Sequence, residues 1–222
     1  IMTETTNKNT IIDQDFAREL ARSLLEINAV ILRPNNPFTW SSGWNSPIYC
    51  DNRLTLRYPE IREKIAEKFT GHIKEHLPDI DVITGTATAG IPHAAWVAHN
   101  LHKPLAYVRA KAKAYGLGNQ IEGGVDKGQS TLVIEDLIST GGSAMSVVDA
   151  LKFIGADVKA ILCIFTYGFD KAEKQFLEIG IPVYTLTNYE VLIEVALEIG
   201  TIKKTDLDLL NQWRKNPEEW PN

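Results

Sequence analysis

The stretch that most constrains the fold is Thr131 to Ser146, TLVIEDLISTGGSAMS. Thr131-Leu132-Val133-Ile134 is a short apolar, partly β-branched run, the pattern of a buried parallel strand. Glu135 and Asp136 follow it. Ile138-Ser139-Thr140-Gly141-Gly142-Ser143 then opens a helix whose apolar positions are Met145, Val147, Val148, Leu151 and Ile154. In an open α/β sheet, ligands bind beyond the carboxyl ends of the strands. The order predicts that Glu135 and Asp136 project into a cleft.

The residue types suggest what the cleft holds. Gly141 and Gly142 let the backbone approach a ligand closely. Ser139, Thr140 and Ser143 supply hydroxyls, and the first N–H groups of the helix point to the same place. This makes a phosphate cradle. Two carboxylates beside a cradle make sense if the ligand also carries sugar hydroxyls or a divalent metal, which suggests a ribose 5-phosphate unit. The plain alternative is a Gly-Gly turn beside a solvated acid pair. A P-loop is excluded because no Gly-Lys-Ser/Thr follows the glycines, and a dinucleotide fingerprint because G-x-G-x-x-G is absent.

The remaining chain alternates strand and helix patterns. Asp13 caps a helix with Phe16, Leu20, Leu24 and Ile27 on one face, after a polar start over residues 2–10 that predicts fraying. Phe38 to Arg53 predicts a hairpin turning at Gly43. It is dense in aromatics, which either stack on a flat heterocycle or cluster among themselves. A helix runs from Tyr58-Pro59 to Pro78 through Ile61, Ile65, Phe69 and Ile73. Asp81-Val82-Ile83 is a strand, Thr84–Gly90 a small-residue loop suited to pyrophosphate, and a helix follows from Pro92. His93 and His99 on that helix have no partners at metal-ligand spacing and read as packing or surface residues. Leu105–Val108 is a strand feeding a glycine-rich loop, Arg109 to Gly124, with Arg109, Lys111 and Lys113 at alternate positions. Such a loop either closes over a charged reaction or is merely solvated. Val158–Phe165, with Cys163 as a core residue, and Val183–Leu186 are further strands. Helices follow from Asp170, around Val191–Ile199 and over Asp206–Trp213.

Composition adds bounds. A chain of 222 residues suits one core plus a small subdomain. Its net charge of −5 argues against nucleic acid as a partner. Yet no Asp or Glu occurs from Val82 to Ile121, which leaves a basic patch suited to a polyanionic small ligand. Two cysteines predict a reducing, cytoplasmic setting. No apolar run reaches the ~18 residues of a membrane span, and no secretory signal is visible.

The Glu135–Ser143 segment resembles the phosphoribosyl-diphosphate (PRPP) signature of type I phosphoribosyltransferases. Phe-Thr-x-x-Ser-Gly-x-x-Ser-Pro-x-Tyr, beginning at Phe38, resembles the orotate phosphoribosyltransferases in particular. Arg109 and Lys113 match that family's catalytic loop, while Tyr115 stands where it usually has His and Ala110 where many members have Lys. The resemblance implies an α/β type I phosphoribosyltransferase fold: a mainly parallel central sheet flanked by helices, with a small hood subdomain. It implies one domain over 1–222, the hood from about 1–55 with part of the C-terminus, and the core about 56–190. It implies transfer of phosphoribosyl from PRPP to orotate, giving orotidine 5′-monophosphate and pyrophosphate in pyrimidine biosynthesis. The implied catalytic residues are Lys113, Arg109 and Asp136. The implied PRPP-binding residues are Arg109, Lys113, Tyr115, Glu135, Asp136, Leu137, Ile138, Ser139, Thr140, Gly141, Gly142 and Ser143; those for orotate are Ser139, Tyr49 and Cys50. Mg²⁺ is expected mainly through PRPP, with Asp136 the protein group considered nearest. A homodimer sharing the catalytic loop is implied. Family members that contact orotate with an Arg after the Val158–Phe165 strand have no counterpart in Thr166-Tyr167-Gly168, and Ser41 stands where many have a PRPP-contacting Lys. A purine phosphoribosyltransferase, or a PRPP- or nucleotide-sensing regulator of the same fold, is the alternative.

Overall fold

A computed structural model of the chain describes residues 10–40, 43–110 and 120–220. The elements run β1 (Thr10–Ile11), α1 (Gln14–Glu26), β2 (Val30–Leu32), β3 (Phe38–Thr39), β4 (Asn45–Ser46), β5 (Ile48–Cys50), a 3-10 turn (Asn52–Arg57) and α2 (Pro59–His76). They continue with β6 (Val82–Thr86), α3 (Gly90–Leu101), β7 (Leu105–Val108), β8 (Ile121–Glu122), β9 (Ser130–Ile138), α4 (Gly142–Phe153), β10 (Asp157–Thr166), α5 (Asp170–Ile179), β11 (Val183–Asn188), α6 (Tyr189–Glu198) and α7 (Leu207–Lys215). Asp13 caps α1 as expected, its carboxylate accepting from the Phe16 N–H at 3.0 Å.

Seven strands form one sheet in the order β1-β11-β10-β9-β6-β7-β8. Neighbours are parallel except β7 and β8. Alternation along each strand sends successive side chains to opposite faces. Leu132, Ile134, Leu162 and Ile164 join a core with Leu20, Leu24, Phe69, Val97, Leu192 and Trp213. Val133, Ile161 and Cys163 join a second core with Val147, Val148, Leu151 and Phe176. Helices on both faces thus explain the near-continuous apolar strands. Each fully buried aliphatic side chain contributes about 1.5–3 kcal/mol.

Three expectations are revised. Thr10–Ile11 is a strand pairing in parallel with β11, where fraying was expected through Thr10; its partner lies about 170 residues away, so no local pattern marks it. β6 extends through Thr86, so the loop before α3 is only residues 87–89; Thr84 and Thr86 are buried in the ladder. β9 continues through Ile138, so Glu135 and Asp136 lie within the strand and the helix begins only at Gly142. Pairing with β10 extends the ladder to Thr166↔Ile138. The hairpin expected about Gly43 forms as β3–β4, and β5 leaves the segment to pair with β2, Val30–Leu32. His93 is buried against Trp96, consistent with packing.

Candidate active site

The sheet order reverses between β6 and β9: from β6 the chain proceeds outward to β7 and β8, then returns to the other side as β9, β10 and β11. This is a topological switch point, where open sheets form their ligand crevice. Both loops at this crevice are shaped by close approach. A Cβ at Gly90 would lie 2.4 Å from the Ile134 carbonyl oxygen, so α3 starts directly against β9. The Ala87–Thr88 peptide in the same turn is cis. Gly141 has φ +85°, a left-handed value that suits glycine, and turns the chain into α4.

These elements meet around a cavity of about 260 Å³ lined by Thr86, Ala87, Arg109, Gly142, Ser143 and Ser146, among others. Residues Leu137 to Ala144 surround a second, smaller hollow of about 80 Å³, the cradle itself. Leu137 packs against the first core and the Ile138 side chain is buried. Ser139 and Thr140 are half-buried and Ser143 exposed. Arg109 lies at the crevice edge beside Glu122, 3.3 Å away. Lys111, Lys113 and Tyr115 fall outside the described residues.

The acid pair is more enclosed than its sequence position suggests. Glu135 is only 4% exposed. It accepts hydrogen bonds from Ser143 Oγ at 3.2 Å and from the Asp136 N–H at 3.2 Å. Burial, and then the adjacent Asp136 charge, push the Glu135 carboxyl up to about 8. Burial also raises Asp136, while hydrogen bonds and the nearby Arg53 oppose that rise. Two neighbouring, desolvated carboxylates resist being ionised together. A ligand bringing hydroxyl donors or a cation would favour the ionised pair.

The Phe38–Arg53 segment reaches this pair from above. Asn52, fully buried, donates from Nδ2 to the Asp136 carbonyl at 2.7 Å. Cys50 Sγ lies 3.4 Å from Asn52 Oδ1. Burial pushes the Cys50 thiol far up, with the Asp136 charge adding to it, so Cys50 acts as a neutral thiol. Tyr49 is 42% exposed, with its ring centroid 5.7 Å from that of Phe38. Cys50 therefore stands near Asp136. Asn52 and Arg53 stand beside Asp136 at this candidate site, and motif reading passed over them. Asn52 is 84 residues from its partner, and no spacing rule reports such a contact. Arg53 forms a two-pronged pair with Asp51, at 2.6 and 3.0 Å. No group of three or more His, Cys, Asp or Glu suited to a metal occurs among the described residues.

Residues 55–197 match the family model of the phosphoribosyl transferase domain. The orotate phosphoribosyltransferase of Listeria innocua is 56% identical over 203 residues, covering 91% of this chain and 97% of its own. That of Bacillus subtilis is 56% identical over 206 residues, covering 93% and 95%. The crystal structure of orotate phosphoribosyltransferase from Aeropyrum pernix superposes with a TM-score of 0.71 at 27% identity, over 83% of this chain and 99% of that one. With cradle, acid pair and aromatic segment at one switch point, the chain belongs to the orotate phosphoribosyltransferase family.

Proposed function

We propose that the chain transfers the 5-phosphoribosyl group of PRPP to orotate in pyrimidine biosynthesis. The C1–oxygen bond to pyrophosphate breaks, a bond from C1 to the orotate ring nitrogen forms, and that nitrogen's proton is released. The products are orotidine 5′-monophosphate and pyrophosphate. The observation that supports this best is the adjacency of the Ser139–Ser143 cradle to a buried acid pair tied to the Tyr49–Asn52 segment. One end fits a phosphate, the middle fits ribose hydroxyls, and the far side offers aromatic surface for a flat base.

Positive charge develops on the ribose ring as the leaving group departs with negative charge. Asp136 and Glu135 accept from the ribose hydroxyls and favour the cationic ring electrostatically. Ser139, Thr140 and Ser143 hydroxyls, with backbone N–H groups of Leu137, Ile138, Gly141 and Gly142, anchor the 5′-phosphate end. Arg109, Lys113 and Tyr115 face the leaving pyrophosphate, with the tyrosine hydroxyl donating where an imidazole would otherwise act. Ser139, Tyr49 and Cys50 contact the base. The oxygen-rich, carboxylate-containing site fits Mg²⁺. Bound mainly through PRPP oxygens, with Asp136 the nearest protein carboxylate, Mg²⁺ would supply charge neutralisation of the leaving group. A homodimer in which the 109–124 loop serves the neighbouring subunit completes the proposal, as does a cytoplasmic setting. No helix among the described residues is long and apolar enough to cross a membrane.

The test is the ultraviolet absorbance of orotate mixed with protein, PRPP and Mg²⁺, each omitted in turn. Loss of absorbance only in the full mixture, with pyrophosphate released, is expected. Turnover of a purine base and not orotate would overturn the assignment. Binding of PRPP without turnover of any base would indicate a regulator.

A further inference from the structure

The C-terminal helix α7 is tied to the hood side of the crevice at several points. Trp213 is fully buried. Its indole N–H donates to the Asn45 carbonyl in β4 at 3.1 Å. Its ring meets Trp40, Tyr167 and Phe169 edge-on, with centroids 5.7, 5.6 and 5.4 Å away. Arg214 donates from Nε to the Tyr167 carbonyl at 3.2 Å and from Nη2 to the Gly168 carbonyl at 3.4 Å, and pairs with Glu190 at 2.5 Å. Tyr189 donates its hydroxyl proton to the Leu210 carbonyl at 3.0 Å.

The β3–β4 hairpin needs such ties. Each of its strands has two residues, and an isolated two-stranded hairpin is marginal in water. A further anchor is Trp40, whose indole N–H donates to the Ile48 carbonyl at 3.1 Å. The hairpin carries Phe38, whose ring contacts Tyr49, and Trp44 shares a cavity of about 190 Å³ with Thr140 of the cradle and Arg214. None of the α7 contacts named above involves Thr86, Ala87 or Arg109, which line the opposite part of the crevice.

We propose that α7 braces the base-binding wall, with Trp213 as a positioning residue that fixes the β3–β4 hairpin and hence the Phe38–Tyr49 ring pair. The brace acts mainly on the base, because the named contacts of Trp213 go to Asn45, Trp40, Tyr167 and Phe169 and not to the cradle. This rests on the orotate reading above. Trp213 touches no substrate; it acts through the Asn45 carbonyl and through Trp40. Arg214 supports the same wall by holding the backbone where β10 ends.

The test is steady-state kinetics of the full chain with orotate and PRPP varied separately, alongside thermal melts. Trp213→Phe keeps most of the ring and deletes the N–H donor. Losing one neutral hydrogen bond predicts a rise of about 2–10-fold in the KM for orotate, with a smaller change in the KM for PRPP. Trp213→Leu should raise the orotate KM further and lower Tm. Arg214→Met, at a partly exposed site, should shift the orotate KM in the same direction by less while the chain stays folded. An unchanged orotate KM in both Trp213→Phe and Arg214→Met would overturn the brace. So would equal rises in both KM values, the signature of a merely structural role. Failure of the wild-type chain to consume orotate would instead sink the functional reading, and the wild-type arm separates the two failures.

Discussion

The strand-to-helix unit of β9 and α4 and the segment from Phe38 to Arg53 meet at Asp136 and are held in place by different means. The first is local. Strand, acid pair, glycine turn and helix follow one another in the chain, and parallel pairing with β6 and β10 holds them on both sides. The second has little structure of its own. Its strands are two or three residues long, and besides the β2–β5 pairing and the ring contacts of Trp40 it is held by long-range hydrogen bonds, among them Asn52 to the Asp136 carbonyl and Trp213 to the Asn45 carbonyl. A wall set by the sheet should fail through chemistry or packing. A wall set by a few hydrogen bonds should fail by loosening.

The largest effect tests the chemistry. Lys113→Ala should lower kcat by about 10²–10³, the usual cost of one preorganised charge donor, with Tm unchanged; near-normal turnover would remove Lys113 from the proposed machinery. Next comes the acid pair. Burial holds the Glu135 carboxyl at about 8 in the folded protein, against 4.5 for the solvated group of the unfolded chain. The ligand-free protein therefore binds the extra proton between these values. The contribution of Glu135 to stability is fully present below about 4.5 and is lost as pH rises through 8. Glu135→Gln should flatten that slope and raise stability at pH 8.5 by on the order of 3 kcal/mol, with no gain at pH 4. Identical melts of the two proteins at both pH values would refute the protonated pair.

Packing on the sheet side is probed at Gly90. Gly90→Ala places a methyl 2.4 Å from the Ile134 carbonyl oxygen. Backbone must shift, costing about 1–3 kcal/mol, and the melt should show it as a Tm loss of several degrees. A wild-type Tm would mean that the α3–β9 contact is looser than described. The smallest effect belongs to the hood. Asn52→Ala leaves the Asp136 carbonyl without this donor, at about 1 kcal/mol. Its signature is a several-fold rise in the KM for orotate with Tm almost unmoved. A Tm loss as large as that of Gly90→Ala would erase the contrast between the two walls.

The amino-acid sequence determined the cradle, the acid pair, the helix faces and the fold class. Those signals are short-range: apolar periodicity, a capping Asp13, and glycines where the backbone turns or approaches a ligand. Element ends were less legible. β9 extends four residues past the apolar run because β10 lies beside it, so the acid pair belongs to the ladder and Glu135 is buried. Tertiary structure alone decided that Thr10–Ile11 completes the sheet edge, that Asn52 holds the backbone of Asp136, and that α7 reaches back to the β3–β4 hairpin. Each of these joins residues 84 to about 170 positions apart. A side-chain amide or an indole carries no spacing pattern that names its partner, and only the packed chain brings donor and acceptor within hydrogen-bond distance.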